Sequence, residues 1–124
     1  MTIGESTVFR ISDRLTLMPV VHESGDFAVR VRDELLAGGY DCLAVPLPGS
    51  MADQVMDAIE LLPAITAVVQ EEPDETNEPA VSYVPIDPCQ PVIAALRFAT
   101  RERLAVRFID WETKRFTPRA SNLP

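Results

Sequence analysis

Short apolar runs alternate with amphipathic segments along this chain, and that alternation limits the folds open to it. Four apolar runs indicate buried strands, at residues 15–21, 41–45, 64–70 and 105–110. Between them, apolar residues recur at helical spacing, as in Phe27, Val31 and Leu35. Strands that alternate with helices are typical of parallel sheets. The sequence therefore predicts an α/β fold with a mostly parallel sheet flanked by helices on both faces.

Capping residues indicate where the helices begin and end. The first is expected to begin at Ser24 or Asp26, whose side chains can accept from free backbone N–H groups, and to end at the glycine pair 38–39. The second is expected to run from Ser50 to Pro63. The third spans residues 91–104, because Pro91 suits a first helical turn.

Two stretches interrupt this alternation. Residues 71–79 are acidic and rich in proline, which predicts a solvated loop, and residues 80–86 predict a returning strand. Residues 65–86 are therefore also compatible with an inserted β-hairpin, and the direction of this strand stays open. Near the N-terminus, residues 7–11 predict a short edge strand followed by a turn at Ser12 and Asp13. Pro46 and Pro48 are expected to end the strand at residues 41–45.

Composition excludes several classes of partner. The 124 residues carry a net charge of −8, which argues against binding to nucleic acids or to an acidic membrane surface. No apolar run approaches the roughly 18 residues of a membrane span, and no secretory signal is visible. Cys42 and Cys89 lie far apart and outside any CxxC motif. This pattern favours reduced thiols and a cytoplasmic location.

Candidate catalytic residues follow from the predicted strand ends. Ligands bind beyond the carboxyl ends of strands in open α/β sheets. His22 and Glu23 follow the first predicted strand, and Asp110 ends the last one. Asp87 joins them if its loop crosses the same edge. This prediction requires the segments before His22 and Asp110 to run side by side in one direction.

Each candidate has a functional and a structural interpretation. His22 is the only histidine, so it is either an acid/base group oriented by a carboxylate or a ring that merely hydrogen-bonds at a strand end. In "VPIDPCQPVIAAL", three prolines stiffen the approach to a helix. Asp87 within it either presents a carboxylate at the crevice or stabilises the corner.

Cofactor motifs give little further guidance. Neither GxGxxG nor GxxxxGK[ST] occurs, so no cofactor is evident. Carboxylates with one imidazole are compatible with a divalent metal, although no ligand spacing marks such a site. Gly49 and Ser50 could present N–H groups at a helix start, but an ordinary cap is the favoured interpretation.

The order of several short segments resembles a known group of proteins. "PVVHESGDFAVRVRDEL", "YDCLAVPLP", "PIDPCQPVIAALRFA" and "AVRFID" together resemble the opening region of the erythromycin-esterase-like, ChaN-like and TraB-like superfamily, particularly a bacterial branch of unknown function. The resemblance covers roughly residues 17–112. It implies a first strand ending in a histidine motif, here His22 with Glu23, and a second strand ending in a glutamate. Pro46 occupies that glutamate position, so half of the implied acid/base pair is missing.

The resemblance also bears on domain organisation. Members are usually much longer, so residues 1–112 are expected to form one α/β domain that is the N-terminal part of a larger protein, and residues 113–124 a linker or tail. Such a part is expected to expose an apolar edge and to form a homo-oligomer.

Two functions remain open from the sequence. One is a hydrolase-like module that uses His22 with Glu23, Asp87 or Asp110. The other is a noncatalytic module that binds a protein partner, as Pro46 and the missing cofactor loops suggest.

Overall fold

The computed structural model describes residues 8–72 and 80–112. Its elements in chain order are β1 (Phe9–Arg10), β2 (Thr16–Leu17), α1 (Gly25–Gly38), β3 (Cys42–Pro48), a 3-10 turn (Gly49–Met51), α2 (Ala52–Ile59), β4 (Thr66–Glu72), β5 (Ala80–Ile86), α3 (Pro91–Glu102) and β6 (Ala105–Asp110). The expected mixture of helices and strands is confirmed. The expected tail at residues 113–124 lies outside the described residues, and so does most of the expected acidic loop.

The strands form three separate pairs. β1 and β2 are antiparallel, β3 and β6 are parallel, and β4 and β5 are antiparallel. The hairpin interpretation of residues 65–86 is therefore confirmed. The parallel pairing is limited to β3 and β6 in the described residues, whereas the sequence predicts a mostly parallel sheet.

The core lies between the helices and one face of these strands. Val45 of β3, Ile86 of β5 and Leu96 of α3 are at most 2% exposed and belong to one apolar cluster. Val55 of α2 belongs to the same cluster, so α2 and α3 together cover the inner face of the β3–β6 and β4–β5 pairs. α1 packs beside α3.

The opposite, outer face of the strands is open. Val69 of β4 is 56% exposed, Tyr83 of β5 is 68% exposed and Ile109 of β6 is 65% exposed. Ala44 of β3 is exposed as well. The expectation of helices on both faces therefore differs from the structure, which covers one face within its described residues.

The first predicted strand shows the largest difference. Only Thr16 and Leu17 of residues 15–21 are in a strand, and they pair with β1 instead of β3 or β6. A tight turn explains the local pairing, since the Ile11 N–H donates to the Leu15 carbonyl at 2.9 Å. Leu15 and Leu17 are each 51% exposed. The predicted turn at Ser12 is present, with the Arg14 N–H donating to the Ser12 Oγ at 3.1 Å.

Two strands continue through proline or glutamate residues that were expected to end them. β3 continues through Pro46 to Pro48, with a register shift between Val45 and Pro48. β4 includes Glu71 and Glu72, which were expected in the loop. The β3–β6 ladder does not need the N–H that Pro46 lacks, and Glu71 is exposed, so its charge is not buried.

The predicted ends of α1 and the predicted start of α3 agree with the structure, whereas those of α2 do not. Ser24 caps α1 through its Oγ, which accepts from the Phe27 N–H, and Gly39 at φ 65° follows the helix. Gln90 precedes α3 and Pro91 begins it, as expected. α2 differs: the 3-10 turn precedes it, no side chain caps it, and it ends at Ile59 instead of at Pro63.

Candidate functional site

A groove of about 380 Å³ lies between β3 and β5, with the start of α3 beneath it. We call it the strand groove. Its lining residues are His22, Glu23, Pro46, Leu47, Tyr83, Val84, Pro85, Gln90, Val92 and Ile93. Most of these side chains are apolar. The groove therefore combines an apolar floor with one imidazole and one carboxylate at its rim.

Within residues 8–72 and 80–112, the β5 side of the groove is a strand edge with no ladder partner. β4 and β5 pair Ala67 with Pro85 and Val69 with Tyr83. Because proline has no N–H, the Ala67–Pro85 pair must be one of the non-hydrogen-bonded pairs of an antiparallel ladder. Pairs alternate along such a ladder, so Tyr83 and Val81 also point their backbone groups away from β4. These groups lie on the edge that contributes Tyr83 and Pro85 to the groove.

The β3 side is likewise an edge with no ladder partner in the described part of the chain. The Ala105 N–H donates to the Asp41 carbonyl at 3.3 Å. Alternate residues of a parallel strand bond to the same neighbour, so Leu43 and Val45 also direct their backbone groups towards β6. Ala44 and Pro46 direct theirs the other way. Pro46 is tolerated inside β3 because the N–H it lacks would not have served the β3–β6 ladder.

His22 and Glu23 reach this groove from a turn, not from the end of a sheet strand. The Ser24 N–H donates to the Val21 carbonyl at 3.3 Å, and Glu23 has a φ of 67°. The Glu23 N–H donates to the Gln90 Oε1 at 2.9 Å, which ties the turn to the start of α3. Both His22 and Glu23 are exposed. The sequence predicts that they rim a crevice, and both line this groove, although residues 18–21 just before them are not in a strand.

Asp87 lies in the corner before α3 and organises its backbone. Its Oδ1 accepts from the Cys89 N–H at 2.8 Å, and its carbonyl accepts from the Gln90 N–H at 2.9 Å. Asp87 is not among the residues that line the strand groove. This geometry corresponds to the structural interpretation of the proline-rich loop, in which the carboxylate holds the turn that delivers Gln90.

Asp110 lies outside the groove as well. It pairs with Pro48 at the end of the β3–β6 ladder, and its Oδ1 accepts from the Trp111 N–H at 2.8 Å. The segment that runs beside β6 is therefore β3 and not the segment before His22. The sequence analysis expected the strand ends at His22 and Asp110 to open onto one crevice, and the structure does not place them so. Of the four predicted catalytic residues, it brings only His22 and Glu23 to one groove.

A polar group at the end of β3 was only partly predicted. The Glu112 Oε1 accepts from the Ser50 N–H at 3.0 Å, and the Ser50 Oγ lies 3.3 Å from the Gln70 Oε1. The Gly49–Ser50 start was interpreted as an ordinary cap, and here a carboxylate from beyond β6 occupies it. Gln70 carried no sequence signal, because its contribution depends on where β4 packs.

The described residues offer no preassembled metal site. Among residues 8–72 and 80–112, no group of three or more His, Cys, Asp or Glu side chains is placed to hold an ion. Cys42 and Cys89 are free and exposed. What the strand groove can supply chemically is an exposed imidazole, one carboxylate, the Gln90 amide and two strand edges with unpaired backbone groups.

Comparisons with known proteins add no relative: no family model matches the chain, and neither curated proteins nor solved structures gave a significant match. Within the described ranges, no helix has the length and apolar character needed to cross a membrane.

Proposed function

We propose that this chain is a noncatalytic protein-interaction module whose strand groove receives an extended apolar segment from a second copy of the chain. The observation that carries the proposal is the pair of unpaired strand edges on the two sides of one apolar groove. Backbone N–H and C=O groups at such an edge are satisfied well by an added strand. The proposed occupant is residues 15–21, which we call the apolar segment.

The apolar segment has the chemistry that the groove requires. Leu15 and Leu17 are 51% exposed and Val21 is 58% exposed, so three large apolar side chains lack full burial within one copy. Apart from Pro19, which supplies no backbone donor at its position, its composition is also that of a buried strand. Placed between β3 and β5, it would join the two strand pairs into one larger and mostly parallel sheet. This completed sheet is the finer fold that we propose.

The placement of the carboxylates supports binding over catalysis. Asp87 and Asp110 each accept a backbone N–H nearby in sequence and lie outside the groove. Pro46 lines the groove where the resemblance implies a glutamate. Of the four predicted catalytic residues, only His22 and Glu23 line the groove, and the glutamate that the resemblance implies at position 46 is missing.

Light scattering after size-exclusion chromatography tests the proposal. We expect a dimer whose dissociation constant rises at least about tenfold in Leu17→Asp, because a carboxylate cannot enter an apolar groove without a large desolvation cost. Leu61→Asp is the matched control, since Leu61 is 59% exposed and lies after α2, away from the groove. Its dimer should be unchanged.

A peptide gives a second measurement. An acetylated and amidated peptide of residues 15–21 should dissociate the dimer, whereas the same peptide N-methylated at Leu17 and Val21 should compete at least about tenfold less well, because it lacks donors along one edge. A wild-type protein that stays monomeric at millimolar concentration contradicts the proposal. Equal competition by the two peptides contradicts strand addition.

A hydrolase of the erythromycin-esterase-like, ChaN-like and TraB-like superfamily is the second candidate. One observation favours it: His22, Glu23 and Pro46, the positions that the resemblance pairs, line the same groove. In that case Pro46→Glu should raise the hydrolysis of p-nitrophenyl acetate, and the further change His22→Ala should abolish the gain. A Pro46→Glu variant that folds and shows no gain removes this candidate.

We also infer a cytoplasmic location from the two free, exposed thiols, since a reducing compartment keeps such cysteines unpaired. Mass spectrometry of protein isolated under alkylating conditions tests this. Two modified cysteines per chain are expected, and a disulfide-linked product would contradict the inference.

A further inference from the structure

A second groove, distinct from the strand groove, lies between α1 and α3 and has a volume of about 410 Å³. We call it the helix groove. Its apolar surface includes Val29 and Leu36 of α1 and Phe98 of α3. Val29 is 48% exposed and Leu36 is 63% exposed, so this surface is not closed by any described residue.

Three arginines line the same groove. Arg32 belongs to α1, and Arg97 and Arg101 belong to α3. None of the three guanidinium groups has a hydrogen bond or an ion pair with another described residue. Glu102 is the one carboxylate among the lining residues. The groove is thus locally basic in a chain whose net charge is −8.

This combination points to an occupant that is apolar on one side and anionic on the other. Arginine is suited to carboxylates because its planar fork donates to both oxygens. The rest of the protein surface is acidic and repels an acidic partner. Such a partner would therefore dock at the basic groove.

The spacing of the side chains favours a helix as the occupant. Val29 and Leu36 are seven residues apart, which is about 10 Å along α1, and Arg97 and Arg101 are one turn apart on one helix face. Carboxylates at positions i and i+4 of a third helix would match the latter pair. A single small anion would leave most of the apolar surface and at least one arginine uncovered.

We propose that the helix groove is a docking site for an acidic amphipathic helix of a partner protein. Apolar residues of that helix contact Val29, Leu36 and Phe98, and its carboxylates pair with the arginines. This proposal does not depend on the strand groove, because the two grooves share no lining residue.

The test uses a designed probe, because the natural partner is not identified. The probe is a 15-residue peptide with leucine at helical i, i+3, i+4 and i+7 spacing and glutamate elsewhere, and the control peptide has lysine in place of every glutamate. Isothermal titration calorimetry with the full chain should show binding of the glutamate peptide that weakens as salt rises, and binding of the lysine peptide at least about tenfold weaker.

Charge reversal in the protein locates the site. Arg97→Glu combined with Arg101→Glu should weaken binding of the glutamate peptide at least about tenfold, because attraction becomes repulsion. The control combines Arg10→Glu with Arg107→Glu, since Arg10 of β1 and Arg107 of β6 are exposed, do not line the helix groove and together give the same charge change. It should leave the affinity within about twofold, and circular dichroism should show that all variants are folded.

Three results would overturn the proposal. These are equal binding of the two peptides, an affinity unchanged by the double reversal, and perturbation of the Phe98 and Leu36 NMR signals by decanoate but not by the peptide. The last result would make the groove a site for small anionic amphiphiles instead.

Discussion

Val68 and Val69 are neighbours on β4, yet Val68 is 6% exposed and Val69 is 56% exposed. The inner face of the strands packs against α2 and α3, and the outer face has no helix over it within the described residues. Both faces carry large apolar side chains. The comparison shows that the strand composition specifies burial on two sides, whereas the elements described here supply a cover for one.

The inner face should carry most of the stability. Replacing Ile86 by alanine should lower the free energy of unfolding by about 2–5 kcal/mol, because Ile86 is fully buried and its loss leaves a cavity in the main cluster. Urea denaturation followed by circular dichroism measures this. A loss below about 1 kcal/mol would mean that the inner face is not tightly packed.

A polar substitution of the same shape tests how dry the inner face is. Val68→Thr should lower the free energy of unfolding by about 1–3 kcal/mol, because the new hydroxyl is buried without a hydrogen-bond partner. The same urea experiment applies, and the shape and β-propensity of the side chain are kept.

The smallest effect should come from the neighbouring position. Val69→Thr should change the free energy of unfolding by no more than about 0.5 kcal/mol, since this side chain already contacts solvent. If Val68→Thr and Val69→Thr cost the same, the outer face is covered in solution and the comparison fails.

Local signals predicted the elements whose ends depend on nearby residues. Ser24 caps α1, Pro91 begins α3, and β6 spans the predicted residues 105–110, because caps and short apolar runs act within a few residues. Pairing depends on distant residues instead. The apolar segment was expected beside β6, but its nearest partner is β1 across a short turn.

The candidate site shows the same division between local and distant signals. His22 and Glu23 lie at a groove because the turn closed by the Ser24 N–H and the hydrogen bond from the Glu23 N–H to Gln90 hold them there. The exclusion of Asp87 and Asp110 depends on which backbone N–H each carboxylate meets, and this follows from the packed loops. Pro85 and Pro46 did carry a signal: prolines inside strands mark unpaired edges.

Residue-resolved amide hydrogen exchange at two protein concentrations tests most directly whether the strand groove has an unpaired edge that a second copy fills. The Val84 amide, directed towards β4, should be protected at both concentrations. The Tyr83 amide should exchange at least about tenfold faster than Val84 in dilute protein and become protected as the concentration rises. A Tyr83 amide that is protected equally at both concentrations, or at neither, would contradict the account.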